Sequence, residues 1–105
     1  MDKFVKALSK SAEEAIKELK KEGLATSDWK LDPVVYEEGV SPDDSGVSGA
    51  LHVRARSKKT GDTVLEFHMT GLHRAPETPD VVKRTIVEQA RKVLKQGAGN
   101  ENPNT

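Results

Sequence analysis

The clearest pattern of hydrophobic and polar positions lies between Ala50 and Leu72, where the two kinds of residue alternate in two successive runs. Alternation with a period of two is typical of a strand that buries one face, so the pattern predicts two antiparallel strands. The apolar positions are Leu51, Val53 and Ala55 in the first run, and Leu65, Phe67 and Met69 in the second. We expect this hairpin to be the scaffold of the fold.

The register of the hairpin follows from its apolar positions, because a slip of one residue would place apolar side chains opposite polar ones. A three-residue loop, Lys59–Gly61, puts Gly61 at the left-handed position of such loops and sets Lys58 opposite Asp62. The predicted inner pairs are Ala55 with Leu65, Val53 with Phe67 and Leu51 with Met69. The predicted outer pairs are Arg56 with Val64, Arg54 with Glu66 and His52 with His68. The Arg54–Glu66 pair joins opposite charges and is favourable.

Apolar residues at helical spacing flank the hairpin on both sides. The first helix is predicted from about Lys3 to Glu22, with Asp2 as its N-cap and Gly23 just after its end. The second is predicted to have Thr78 as N-cap and to end at Gly97. Its buried stripe is predicted to contain Val82, Ile86, Val93, Ala90 and Leu94. Residues 1–97 then form a single domain, and residues 98–105 form a disordered tail.

A further strand is predicted over Trp29–Glu38, with Pro33 indicating a sheet edge or an irregular start. Trp29 is expected at the margin of the core. Strict alternation assigns Leu31 and Val35 to the helix side, and Val34 and Tyr36 to the other side. The polar stretch Gly39–Gly49 is predicted to be a flexible loop.

This order of elements predicts an α+β fold, an α-β-β-β-α two-layer sandwich. A three-stranded antiparallel sheet would carry two helices on one face and leave its other face open to water or a partner. The open face is the candidate site, with Tyr36, His52, Arg54, Arg56, Glu66 and His68 as its contact residues.

The chemistry of these residues fits binding better than catalysis. Two arginines beside a tyrosine suit phosphate or an acidic partner, although a merely solubilising face is the simpler interpretation. His52 and His68, with Glu66, offer ligands for a metal such as Zn²⁺ or a pH-sensitive pair. Plain exposed histidines are the favoured interpretation, and we predict no metal, no cofactor and no catalytic residue. No serine lies in a nucleophile motif, and no glycine motif cradles phosphate.

The amino-acid composition narrows the choice of binding partner and of cellular compartment. Lys plus Arg and Asp plus Glu number 17 each among the 105 residues, and this neutrality argues against nucleic acid. The sequence has no cysteine, so disulfides are excluded and a reducing compartment is compatible. It also has no apolar run long enough for a membrane span, and Lys3, Lys6 and Lys10 interrupt any signal peptide. We expect a cytoplasmic location without membrane contact.

The stretch Pro33-Val34-Val35-Tyr36 is similar to the proline and tyrosine that open the first strand of the double-stranded-RNA-binding domain. The order of helices and strands over residues 3–96 also resembles that family. The resemblance implies RNA contacts from the first helix, the loop after the first strand and a lysine-rich start of the second helix. Here the corresponding positions include several carboxylates: Glu37, Glu38, Asp43, Asp44, Glu77 and Asp80. Carboxylates repel phosphates, so we expect the shape of the family without its function.

The sequence therefore favours a small non-enzymatic protein-interaction domain, such as an adaptor, inhibitor or oligomerising subunit. It would bind a protein partner or a second copy of itself through the open sheet face or an exposed strand edge. The alternative is a nucleic-acid-binding domain that uses the lysines of the first helix together with Arg54 and Arg56.

Overall fold

The computed structural model describes the backbone of residues 2–40 and 47–99. Two helices flank four strands in the order α1-β1-β2-β3-β4-α2. The elements are α1 (Lys3–Lys21), β1 (Trp29–Leu31), β2 (Val35–Val40), β3 (Val47–Ser57), β4 (Thr63–Leu72) and α2 (Thr78–Gly99). The predicted α+β layout is confirmed, but the antiparallel sheet has four strands instead of three.

Strand β3 is hydrogen-bonded to all three other strands. β4 pairs with β3 over most of its length, whereas β1 pairs with residues 55–57 of β3 and β2 pairs with residues 47–52. A strand has two edges, so β1 and β2 must lie end to end along the edge of β3 that β4 leaves free. The segment predicted as one strand over Trp29–Glu38 therefore does lie in the sheet, but it forms two strands separated by a break.

The interruption shifts the register by one residue. Leu31 pairs with Ala55 and Val35 pairs with His52, so four steps along β1 and β2 match only three along β3. A one-residue insertion of this kind reverses the face of every following side chain. Pro33 lies in this break, where no ladder hydrogen bond is needed from it.

The shift corrects the predicted faces of the residues that follow the break. Tyr36 pairs with Leu51, which is completely buried, and packs toward the helices. Val34 also packs against the core, whereas Val35 lies opposite His52 and is 53% exposed. The prediction that Val35 faces the helices and Val34 and Tyr36 the open side is wrong.

The predicted register of the hairpin is confirmed from Leu51–Met69 to Ala55–Leu65. The turn begins one residue earlier than predicted, because Gly61 N donates to Ser57 O and Ser57 N donates to Asp62 O. The loop between Ser57 and Asp62 therefore has four residues, Lys58–Gly61, and the predicted three-residue loop with Lys58 opposite Asp62 is wrong. Gly61 ends the loop with φ +76°, the left-handed conformation that was expected.

Two irregularities bound the regular part of β4. At one end Arg56 pairs with Thr63, so Val64 is an extra residue and the predicted Arg56–Val64 pair is wrong. At the other end Gly49 pairs with Leu72, and Gly71 adopts φ +71°. Bulges of this kind twist a strand locally. The segment between them, residues 65–69, keeps a continuous register with β3.

The ends of α1 agree with the prediction. Asp2 Oδ1 accepts hydrogen bonds from the N–H groups of Phe4 and Val5, at 2.7 and 3.3 Å. Beyond the C-terminus, Gly23 has φ +78°, and Leu24 N donates to Leu19 O. This bond and the one from Gly23 N to Lys20 O form a Schellman motif, which satisfies carbonyl groups left free at the helix end.

Helix α2 departs from the prediction at both ends. It begins at Thr78 itself, whose hydroxyl donates to His73 O at 2.7 Å and so ties the helix to the preceding connection. It continues past the predicted end at Gly97 to Gly99. The predicted buried stripe of this helix is wrong at Val93, which is 55% exposed, and it lacks Val87, which is buried. Of the predicted tail, residues 100–105 lie outside the described residues.

The predicted loop Gly39–Gly49 is shorter than expected, because β2 extends to Val40 and β3 begins at Val47. Residues 41–46 of this loop lie outside the described residues.

The core lies between the helices and the inner sheet face, with Trp29 packed at its margin as predicted. Its largest fully buried side chains are Leu8, Leu19, Leu51, Ile86, Val53 and Val82.

Arg74, in the connection between β4 and α2, joins three parts of the chain. Its guanidinium group donates to Asp2 Oδ2 at 2.5 Å and to Glu38 Oε2 at 2.7 Å, and it lies 5.0 Å above the centre of the Phe4 ring. The hydrogen bonds from Arg74 lower the pKa of Asp2 to about 2 and hold the pKa of Glu38 below its ordinary value. The start of α1 is thereby fixed to β2.

Tyr36 fills the space between α1 and the neighbouring strand. Its ring meets the Phe4 ring edge-on at a centroid distance of 5.5 Å, and its hydroxyl donates to Glu38 at 3.0 Å. Burial and this hydrogen bond raise the pKa of Tyr36. The ring also covers Gly49 so closely that a Cβ atom at position 49 would collide with it. Only glycine therefore leaves room for Tyr36 in this position.

We expect Gly49→Ala to lower the free energy of unfolding by about 1–3 kcal/mol, because Tyr36 must leave its position to accommodate the methyl group. Urea denaturation followed by circular dichroism measures the change. Gly39→Ala is the matched control, since a Cβ atom there meets nothing within 4 Å. Equal losses in the two variants would contradict the close packing of Tyr36 on Gly49.

Candidate interaction surface on the outer sheet face

The candidate site is the sheet face that points away from the core, which we call the outer face. Alternate residues of the four strands form it: Lys30, Val35, Glu37, His52, Arg54, Arg56, Glu66 and His68. Five of the six predicted contact residues lie here. The sixth, Tyr36, packs against Phe4 on the inner face, so its predicted place on the open side is wrong. Partner binding by the other five stays a prediction.

One end of the outer face carries a carboxylate shared by two arginines. Arg54 Nε lies 3.1 Å from Asp32 Oδ2, and Arg56 Nη2 lies 3.0 Å from Asp32 Oδ1. The backbone N–H of Asp32 also donates to Arg54 O at 2.8 Å. Asp32 is therefore fixed to β3 by both its main chain and its side chain. We call these three residues the Asp32 cluster.

The electrostatics of the Asp32 cluster favour the ionised carboxylate. Burial of Asp32 acts to raise its pKa, but hydrogen bonds and charge from Arg56 and Arg54 outweigh burial and leave the pKa below its ordinary value. The cluster carries two positive charges against one negative charge. It therefore keeps a net positive charge on the outer face at neutral pH.

Both arginines remain available to a partner. Their side chains are 44% and 45% exposed, whereas that of Asp32 is 11% exposed. A guanidinium group has five N–H donors, and Asp32 accepts from only some of them. The remaining donors belong to side chains that are nearly half exposed on the outer face. An incoming carboxylate or phosphate can accept from them.

The cluster replaces the ion pair predicted between Arg54 and Glu66. These residues are opposite one another in the ladder, as expected, but their charged groups bind elsewhere. Arg54 binds Asp32, and Glu66 Oε2 lies 2.6 Å from His52 Nε2. A continuous strand over Trp29–Glu38 gives Asp32 no distinct role, so the predicted contact residues do not include it. The Asp-Pro dipeptide at Asp32 and Pro33 was the available signal of a break.

The other half of the outer face is a shallow hollow lined by Val35, Glu37, His52, Glu66 and His68. The rings of His52 and His68 meet edge-on with a centroid distance of 6.1 Å, which confirms that they are cross-strand neighbours. Within residues 2–40 and 47–99, no three His, Cys, Asp or Glu side chains are arranged to hold a metal ion. The hollow offers hydrogen-bonding groups and one exposed valine.

On the side of the molecule formed by the helices, ion pairs join carboxylates of α1 and its C-terminal end to cations of α2. Glu18 of α1 lies 4.0 Å from Lys83 Nζ and 3.6 Å from Arg91 of α2. Arg91 also binds Glu22, at 2.5 Å. Lys83 and Arg91 of α2 thus pair with two carboxylates of α1 and its C-terminal end, whereas the two arginines of the Asp32 cluster share a single carboxylate.

Comparisons with known proteins identify no relative. No protein-family model, curated protein or solved structure matches the chain. Among the described helices, none has the length and apolar character needed to cross a membrane. Function must therefore be argued from the residues of the outer face themselves.

We expect Asp32→Asn to destabilise the fold at neutral pH, because Arg54 and Arg56 lose their shared carboxylate. The folded pKa of Asp32 is below that of the unfolded chain, so the contribution is complete above the ordinary carboxyl pKa of 3.8 and is lost as pH falls through the folded value. Urea midpoints of wild type and variant should therefore converge at acidic pH. Asp62→Asn, in the exposed hairpin turn, is the control. A stability difference that does not depend on pH would contradict this assignment.

Proposed function

We propose that this protein is a small, non-enzymatic protein-interaction domain that binds an acidic segment of a partner protein through Arg54 and Arg56. The Asp32 cluster is the observation that carries the proposal. Asp32 orients two arginines of the central strand β3, and both arginine side chains remain nearly half exposed. Such orientation before binding reduces the entropy that is lost when a partner docks.

The neighbours of the cluster support an acidic ligand. Lys30 pairs with Arg56 across the strands and is exposed on the same face. Glu66, the ladder neighbour of Arg54, directs its carboxylate to His52 instead. Lys30 and the two arginines of the Asp32 cluster thus share one end of the outer face. Arginine binds carboxylates with two parallel hydrogen bonds, which gives directional recognition as well as charge attraction.

A protein partner is favoured over nucleic acid by the distribution of charge. The sequence has no net charge, and the cations Lys83 and Arg91 of the helix side lie next to Glu18. A nucleic acid would need a broad positive surface to gain affinity from its phosphates. The proposal also places the domain in the cytoplasm, with which a chain without cysteine is compatible.

We expect a glutamate-rich peptide to bind the outer face and a lysine-rich peptide of equal length not to bind. Titration of ¹⁵N-labelled protein should shift the amide signals of Lys30, Arg54 and Arg56. Arg54→Ala and Arg56→Ala should each weaken binding by about 1–2 kcal/mol, because each removes charge-assisted hydrogen bonds. Added salt should weaken binding further.

Arg84→Ala is the control variant, because Arg84 carries the same charge on α2, away from the outer face. An equal loss of affinity in this variant would show that the peptide responds only to overall charge, and the proposal would fail. Binding of duplex RNA and of duplex DNA is measured at low salt in parallel, to test the nucleic-acid alternative. Stronger binding of either duplex, with shifts at the α1 lysines, would establish the nucleic-acid alternative instead.

A further inference from the structure

The two edges of the sheet differ in their protection against other strands. On one edge, β1 has three residues and β2 has six, and the break at Pro33 separates them. On the opposite edge, β4 has ten residues and contains no proline, lysine or arginine. Within the described residues β4 pairs only with β3. Short strands, proline and lysine are devices that block pairing at an edge, and β4 lacks them.

The backbone groups that face outward from β4 can be assigned from the register. Arg54 O accepts from Asp32, so the peptide groups of Arg54 point toward the β1 edge. Those of Val53 and Ala55 then point toward β4, because successive residues of a strand alternate. Their partners Phe67 and Leu65 are engaged with β3. The N–H and C=O groups that point to the free edge are therefore those of Glu66 and His68.

We propose that a second copy of this chain occupies the free edge of β4, so that two β4 strands pair antiparallel about a two-fold axis at Phe67. In this register Glu66 of each copy lies opposite His68 of the other. Both pairs are hydrogen-bonded pairs, which exchange two N–H to C=O bonds each. The two sheets then join into one sheet of eight strands.

The side chains of β4 select this register over its neighbours. A two-fold axis at Glu66 would place two glutamates opposite each other, and an axis at His68 would place two histidines opposite each other. Two carboxylates directly opposite destabilise a strand pair, whereas a carboxylate opposite a histidine can accept a hydrogen bond from the imidazole ring. The axis at Phe67 gives two complementary pairs, because a carboxylate has two acceptor oxygens and Glu66 contacts His52 through Oε2.

The inner face of β4 is self-complementary in the same register. Phe67 would meet Phe67 of the second copy, and Leu65 would meet Met69. Phe67 and Met69 are only partly buried at this edge of the core, so pairing removes further apolar area from water. The bulges at Val64 and Gly71 limit regular pairing to residues 65–69, which predicts a weak dimer. This inference uses the strand edge and does not depend on acidic-segment binding.

The absence of cysteine from the chain permits a register-specific test. Glu66→Cys protein and His68→Cys protein, with distinguishable tags, are mixed and oxidised. In the proposed register the 66–68 Cα atoms of the two copies lie roughly 5.5 Å apart, within disulfide reach, whereas the 66–66 and 68–68 pairs lie beyond it. We expect mixed dimers to exceed both same-variant dimers. No dimer, or equal amounts of all three, would overturn the proposal.

A charge-swap series without cysteine provides a second measurement. His68→Glu places two pairs of glutamates opposite each other and should weaken dimerisation roughly tenfold in sedimentation equilibrium. Glu66→His combined with His68→Glu restores both pairs and should recover the wild-type constant. Circular dichroism confirms folding of each variant. A wild-type protein that stays monomeric at NMR concentrations, or a double variant without recovery, would overturn the proposal.

Discussion

The whole sheet depends on the pairing of β3 with every other strand. The inner side of β3 contributes Leu51, Val53 and Ala55 to the core that α1 and α2 cover. One edge of β3 carries β4 in the register that these apolar residues require. The other edge carries β1 and β2, which differ in register by one residue. Because β3 orients all of its neighbours, a change of register at either edge decides which side chains reach the outer face.

The one-residue shift at the β1–β2 break decides the face of Tyr36, which follows the break, but not the face of Asp32, which precedes the shift. It turns Tyr36 inward, where the ring covers Gly49 and contacts Phe4. Asp32 continues the register of β1 and lies on the outer face, where its backbone N–H donates to Arg54 O. Its carboxylate forms ion pairs with both Arg54 and Arg56. The break next to Pro33 thus separates an outward Asp32 from an inward Tyr36.

Sequence reasoning was accurate where one strong physical rule acted alone. The hairpin register follows from burying one face, and Gly61 follows from the conformation that the turn requires. It failed where two local interactions competed. Nothing in the alternation of residues 29–38 reveals an inserted residue, so Tyr36 was assigned to the wrong face. Opposite positions in a ladder favoured an Arg54–Glu66 pair, but Asp32 and His52 offered those groups nearer partners. The hydroxyl of Thr78 likewise bonds a preceding carbonyl group instead of acting as a simple N-cap.

The register shift at the β1–β2 break places Tyr36 on the inner face and Val35 on the outer face. Nuclear Overhauser contacts in the wild-type protein test it most directly. The account predicts cross-peaks from the Tyr36 ring to the Phe4 ring and to the Gly49 α-protons, with cross-peaks from the Val35 methyl groups to the His52 ring. Cross-peaks between the Tyr36 ring and the ring of His52 or His68 would contradict it, because they require an uninterrupted first strand.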